Sequence, residues 1–165
     1  MTFIEASFSG ASALKAVRFF GDVQQLSYKC LDVYKRQEKG KSLSFYAEVD
    51  IDGVFFGMGF YAQNRPLMDA LRARMRRAPD QALSLLAPLE GDFVMHGERF
   101  RRMAVPEELP EGLRDWYLRK SFYLEKTLPF QQAESGALAG TIAAGFMRLK
   151  PLYDYVSACA PEEEE

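Results

Sequence analysis

Period-two patterning, with one side apolar throughout, runs from Leu43 to Ala62 around Asp52-Gly53. Asp-Gly is the dipeptide favoured by a two-residue type I′ turn, where both residues need positive φ. The stretch "LSFYAEVDIDGVFFGMGFYA" therefore predicts an antiparallel hairpin. With the turn at those two positions, Ile51 faces Val54, Val49 faces Phe56, Ala47 faces Met58 and Phe45 faces Phe60, so one side is uniformly apolar. The other side sets Asp50 against Phe55, Glu48 against Gly57, Tyr46 against Gly59 and Ser44 against Tyr61. That side is polar and aromatic, and two glycines flatten it.

Beyond Ala62 the period changes from two to about four. Asn64 has the character of an N-cap, Pro66 suits the first helical turn, and Leu67, Leu71 and Met75 recur on one face until Pro79 stops the helix. A shorter helix is expected over Asp80 to Ala87, with Leu83 and Leu86 inward, ending before Pro88 and Gly91. "DFVMHGERFRRM" predicts a second hairpin around His96-Gly97. A helix from Glu111 to Arg119 follows, with Leu113 and Trp116 or Tyr117 inward, and "SFYLEK" then alternates as a strand. The last helix starts near Ser135, turns Leu138, Ile142, Phe146 and Leu149 inward, and is broken at Pro151 before a short turn from Leu152 to Val156. "PEEEE" is an acidic tail. Hairpins mixed with separate amphipathic helices, without regular strand–helix alternation, define an α+β fold of antiparallel β-hairpins packed with helices.

At 165 residues the chain has the size of one domain, and 48% hydrophobic residues suit a packed core. The formal charge of −2 demands no polyanionic partner. Three basic clusters stand out: Arg72, Arg74, Arg76 and Arg77; Arg99, Arg101 and Arg102; and Arg114, Arg119 and Lys120. No nucleic-acid motif accompanies them, so the expectation is no nucleic acid partner. Arg72 and Arg76 are assigned to the solvated side of a helix, and Arg119 and Lys120 to a helix C-terminus, where cations favour the dipole. No apolar run reaches membrane-spanning length and no secretory signal opens the chain, so a soluble cytoplasmic protein without a membrane partner is expected. Cys30, Cys159 and the single histidine, His96, lack metal-ligand spacing, and neither a metal nor another cofactor is expected.

Two nucleotide-binding look-alikes are present. Gly40-Lys41-Ser42 lacks the upstream glycine of a phosphate loop, because Lys35 stands there. Gly57, Gly59 and Ala62 fit G-x-G-x-x-A with Asp80 downstream, but period-two alternation runs straight through them, whereas dinucleotide glycines belong in the turn after a parallel strand. Packing of Tyr46 over Gly59 accounts for that glycine, and nucleotide binding through Gly57 and Gly59 stands as a lesser alternative. The principal candidate is the polar hairpin face. Glu48 would project there beside Tyr46 and Tyr61, a weak catalytic candidate whose pKa burial would raise and a cation would lower. Arg101 or Arg102 reaching the same face would complete a pocket for a small anionic ligand. The alternative is a non-catalytic module whose sheet face docks a protein partner. The residues fit an enzyme and a binding domain equally.

"DGVFFGMGFY", "HGERFRRM", "WYLRKSFYLEK" and "GFMRLKPLYDYV" resemble successive landmarks of an uncharacterised bacterial family, domain of unknown function 2461 (DUF2461). The resemblance runs from Ser42 to Ser157 and is most recognisable from Arg119 to Tyr123. It implies an α+β domain without an established activity, preceded by a helix and a basic strand region that Met1 to Leu31 match poorly. "DVYKRQ", ending at Gln37, resembles the translation of a transposon end used to tag DNA for sequencing. The expected organisation is thus a foreign segment over residues 1–37, an incomplete family domain over 38–158 and an acidic tail over 159–165, with the first segment making few contacts with the rest.

Overall fold

The computed structural model describes residues 2–6, 41–50, 53–129 and 138–159. Ile51, Asp52, Ser135, Cys30 with the adapter-like run, and the acidic tail beyond Cys159 lie outside the described residues. Among the described residues five antiparallel strands form one sheet in the order β1-β2-β3-β5-β4, where β1 is Thr2–Ala6, β2 Ser44–Asp50, β3 Gly53–Phe60, β4 Val94–His96 and β5 Phe122–Leu128. Four helices accompany it among the described residues: α1 (Arg65–Arg77), α2 (Pro79–Leu86), α3 (Glu111–Leu118) and α4 (Leu138–Ser157). The architecture is α+β, as the mixed periodicities predict.

The β2–β3 hairpin forms with a register two residues away from the one expected. Asp50 pairs with Gly53, Val49 with Val54, Ala47 with Phe56 and Phe45 with Met58, so Gly53 is the first paired residue of β3. A slip of two keeps every side chain on its own face, which is why apolar patterning cannot tell these registers apart. Phe45, Val54, Phe56, Met58 and Phe60 accordingly remain on the buried side. The second expected hairpin does not form. β4 pairs with β5, and the segment after His96 runs alongside the end of α3 through the Arg99–Arg119 bridge. Three residues form too short a strand to hold its own return, and β5 offers a longer partner. β1 pairs with β2 over Thr2–Ala6, more contact than was expected of that segment.

The helices cover the apolar face. Asn64 Oδ1 accepts the Leu67 amide at 3.2 Å and Pro66 occupies the first turn of α1, whose Leu67, Met68, Leu71 and Met75 are buried. On the sheet, Phe56 meets Phe146 and Phe93 edge-on, while Phe122 packs against Phe60 and Trp116 at ring separations of 5.1 and 4.8 Å. α4 departs from expectation by running straight through Pro151. Its buried stripe of Ile142, Phe146, Leu149, Leu152 and Val156 continues across the proline at helical spacing. Packing of that stripe offsets an interior proline's cost of about 3 kcal/mol. Asp92 ties this helix to the sheet, accepting from Lys126 of β5 at 3.1 Å and from Arg148 of α4.

Arg72 is not on a solvated face. It is 5% exposed, and its guanidinium donates to the Tyr117 carbonyl at 2.7 Å, to the Arg119 carbonyl and to Asp69 Oδ1 at 2.7 Å. The two carbonyls belong to the end of α3, where backbone acceptors lack helical partners, so a side chain from α1 caps α3 across the core. Arg119 is likewise buried, donating to the Gly97 carbonyl at 2.8 Å and to Asp115 Oδ2 at 2.6 Å. Helical spacing places Arg72 beside the apolar stripe but cannot show that a distant helix end lies opposite it. Arg72→Met should cost about 3 kcal/mol or more in urea unfolding, because it strands the buried carbonyls at the end of α3. A loss within about 0.5 kcal/mol, as for a solvated arginine, would contradict this role.

Candidate functional site

The sheet face opposite the described helices is organised by a close approach of β5 to β3. Gly57 lies opposite Tyr46 on one side and Glu125 on the other, and Gly59 lies opposite Ser44 and Tyr123. A Cβ at Gly57 would overlap the Leu124 carbonyl oxygen and come within 3.1 Å of the Tyr46 hydroxyl. Gly59, at φ +152°, would collide with the Phe122 carbonyl and Tyr123 Cα if it carried a Cβ. These glycines sit inside an antiparallel strand rather than in a turn ahead of a helix, and the backbone of β5 fills the space a pyrophosphate would need.

Tyr46 reaches across that gap, and its hydroxyl donates to Glu125 Oε2 at 3.0 Å. Tyr61, just past β3, and Tyr123 of β5 stand 4.7 Å apart by ring centroids, and Tyr46 lies 5.9 Å from the first and 6.4 Å from the second. His96 stacks on Tyr123 at 5.0 Å, and its Nε2 lies 4.0 Å from Glu125 Oε1. Four rings thus gather around one carboxylate, each supplied by the outward positions of a different strand or its end.

Burial, followed by the neighbouring Tyr61 and Glu125, holds the Tyr46 phenol far above its ordinary pKa. Tyr61 is pushed up to about 12, first by burial and then by the negative charge of Glu125, with Glu48 adding in the same direction. Tyr123 is raised by burial and then by Glu125. All three phenols therefore stay protonated near neutral pH and offer hydroxyl groups rather than phenolate nucleophiles.

Of the residues singled out in the sequence, Tyr46 and Tyr61 meet in this cluster, and Glu48 shares their face closely enough to act on Tyr61. Arg101 and Arg102 lie exposed in the bend after Phe100, and among the described residues neither is hydrogen bonded or ion paired with Tyr46, Glu48 or Tyr61. Sequence reasoning missed Tyr123 and Glu125 and gave His96 only a turn. The signal was present in "FYLEKTL", whose alternate positions Tyr123, Glu125 and Thr127 point away from Phe122, Leu124 and Leu128. Which strand lay next to it was not legible. Among the described residues no group of three His, Cys, Asp or Glu side chains could hold a metal ion, and no helix is long and apolar enough to cross a membrane. Cys159 is a free thiol.

Fold and site define a small α+β domain with helices on one face of an antiparallel sheet and a phenol–carboxylate cluster on the other. The chain belongs to the family described as "Conserved hypothetical protein (DUF2461)", whose model matches residues 15–155. That match starts well before Ser42, the first residue of the resemblance in the sequence motifs, and takes in residues 15–37. No curated protein and no solved structure matches the chain.

Two measurements check the cluster. Folding keeps the Tyr61 phenol protonated beyond the pH at which an unfolded tyrosine ionises. Its stabilising contribution is therefore complete below pH 10.0 and lost as pH rises through about 12. The phenolate absorbance removed by Tyr61→Phe should titrate near 12, and a midpoint at 10.0 in folded protein would mean the cluster does not form. Gly57→Ala should lower unfolding stability by about 3 kcal/mol or more, since backbone must move to admit the methyl group.

Proposed function

We propose that this chain binds a small ligand on the phenol–carboxylate face of its sheet, and that the ligand presents a cation or hydrogen-bond donors to Glu125. The observation that carries this reading is the convergence of Tyr46, Tyr61, Tyr123 and His96 around that carboxylate. An anionic ligand, the expectation from sequence, requires Arg101 or Arg102 on the face. The local field instead has the sign of Glu125 and Glu48, both of which oppose ionisation of Tyr61. Ring faces beside a carboxylate attract an ammonium group, each well-placed ring contributing about 0.5–2 kcal/mol. Protonated phenols add hydroxyl groups to orient a polar ligand, and the proposed role is binding without a covalent step.

Docking of a protein partner is the second reading. Its support is Val94, the register partner of Glu125, which is 62% exposed, together with Tyr61 at 52%. The two readings separate in a thermal-shift screen with tetramethylammonium, methylammonium, acetate and inorganic phosphate, since a ligand of the native state raises its unfolding temperature. The cations should stabilise the chain, with the effect lost in Glu125→Gln and reduced in Tyr123→Ala. Stabilisation by tetramethylammonium or methylammonium that survives Glu125→Gln would overturn the cationic reading, and a response to none of the four would favour docking.

A further inference from the structure

A cleft of about 450 Å3, lined by none of the four clustered rings, lies between the start of α1 and the segment after β4. That volume is ample for a small molecule, whose sites span about 300–1,000 Å3. Met68, Phe100 and Met103 give it an apolar lining, and Arg65, Arg72 and Lys120 supply cations. Its wall is held by backbone bonds from the Phe100 amide to the Leu118 carbonyl at 2.8 Å and from the Lys120 amide to the Glu98 carbonyl at 2.7 Å. The Phe100 side chain remains 36% exposed within this rigid frame. Two cations approach its ring, Arg72 Cζ at 5.4 Å and Lys120 Nζ at 5.2 Å from the centroid.

The charges facing the cleft do not cancel. Asp69 is shared, 2.7 Å from Arg72 Nη1 and 3.4 Å from Arg65 Nε. Glu98 Oε2 accepts from Gln63 at 2.6 Å and lies 3.8 Å from Lys120 Nζ, a long contact. Three cations therefore share two carboxylates, and the first turn of α1 brings its positive dipole end with no acidic residue to offset it. Arg72 is committed to Tyr117, Arg119 and Asp69 and positions the wall, which leaves Lys120 and Arg65 as the groups able to turn toward a ligand.

We infer that this cleft is a second binding site, selective for a small anion with a ring-sized apolar body, such as an aromatic phosphate ester or carboxylate. The ring packs on Phe100 and the methionine thioethers, and the anion meets Lys120 and Arg65. Calorimetric titration of the full chain with phenyl phosphate tests this, with inorganic phosphate and benzyl alcohol as the two halves of that probe. Phenyl phosphate should bind with Kd below about 1 mM, and each half should bind at least about tenfold more weakly. Lys120→Gln should weaken phenyl phosphate about tenfold, Phe100→Ala by a similar factor, and Arg65→Gln by a few-fold. Arg65 has a side chain 88% exposed, so its replacement keeps the charge test independent of folding. Unchanged affinity in Lys120→Gln and Arg65→Gln, equal affinity for inorganic phosphate, or no binding at about 10 mM would each overturn the site. Tetramethylammonium binding at Glu125 should be unaffected by Lys120→Gln, so failure at one site is distinguishable from failure at the other.

Discussion

The close approach of β5 to β3 at Gly57 and Gly59 is the constraint on which both faces of the sheet depend. Where most strands carry a Cβ at each pleat, β3 offers two vacant positions, and the backbone of β5 moves into them. On the helix side this presses Phe122 and Leu124 into the layer of Phe56, Met58 and Phe60. On the other side it sets Glu125 within reach of the Tyr46 hydroxyl from two strands away. Larger residues at these positions would push the strands apart and separate the phenol from its acceptor.

A second set of contacts fixes the end of the sheet. Arg72 from α1 and Arg119 from the end of α3 occupy positions where helix and loop carbonyls would otherwise be buried without donors. Each arginine contributes several N–H groups in a planar fork, which suits carbonyls converging from different segments better than an ammonium would. The run from Arg119 to Tyr123 is dense with such roles. Arg119 closes on Gly97, Ser121 Oγ accepts the Glu98 amide at 3.2 Å, Phe122 enters the core and Tyr123 joins the aromatic cluster. Four of these five consecutive residues thus couple the core, the edge strand and the candidate site.

Charge is divided between the two candidate sites. Glu48 and Glu125 make the aromatic face negative, while Arg65, Arg72 and Lys120 give the cleft beside α1 a positive surplus. A chain with a formal charge of only −2 can hold both because small local surpluses of either sign cancel in the total. Net charge by itself therefore says little about the ligands such a domain selects.

Periodicity alone determined most of the elements: the hairpin and its two faces, the Asn64-capped helix, the helix before Leu118 and the strand through Phe122 follow from local alternation, capping and proline placement. So did the gathering of Tyr46, Glu48 and Tyr61 on one side, since a two-residue register slip leaves faces unchanged. Tertiary structure decided what local pattern does not encode. It chose β5 as the partner of both β3 and β4, carried α4 through Pro151 on the strength of its buried stripe, and drew Arg72 inward to a helix end 45 residues away. Glu125 and His96 entered the aromatic cluster for the same reason. Their neighbours are distant in sequence, and only the pairing of strands brings those side chains within hydrogen-bonding and stacking distance.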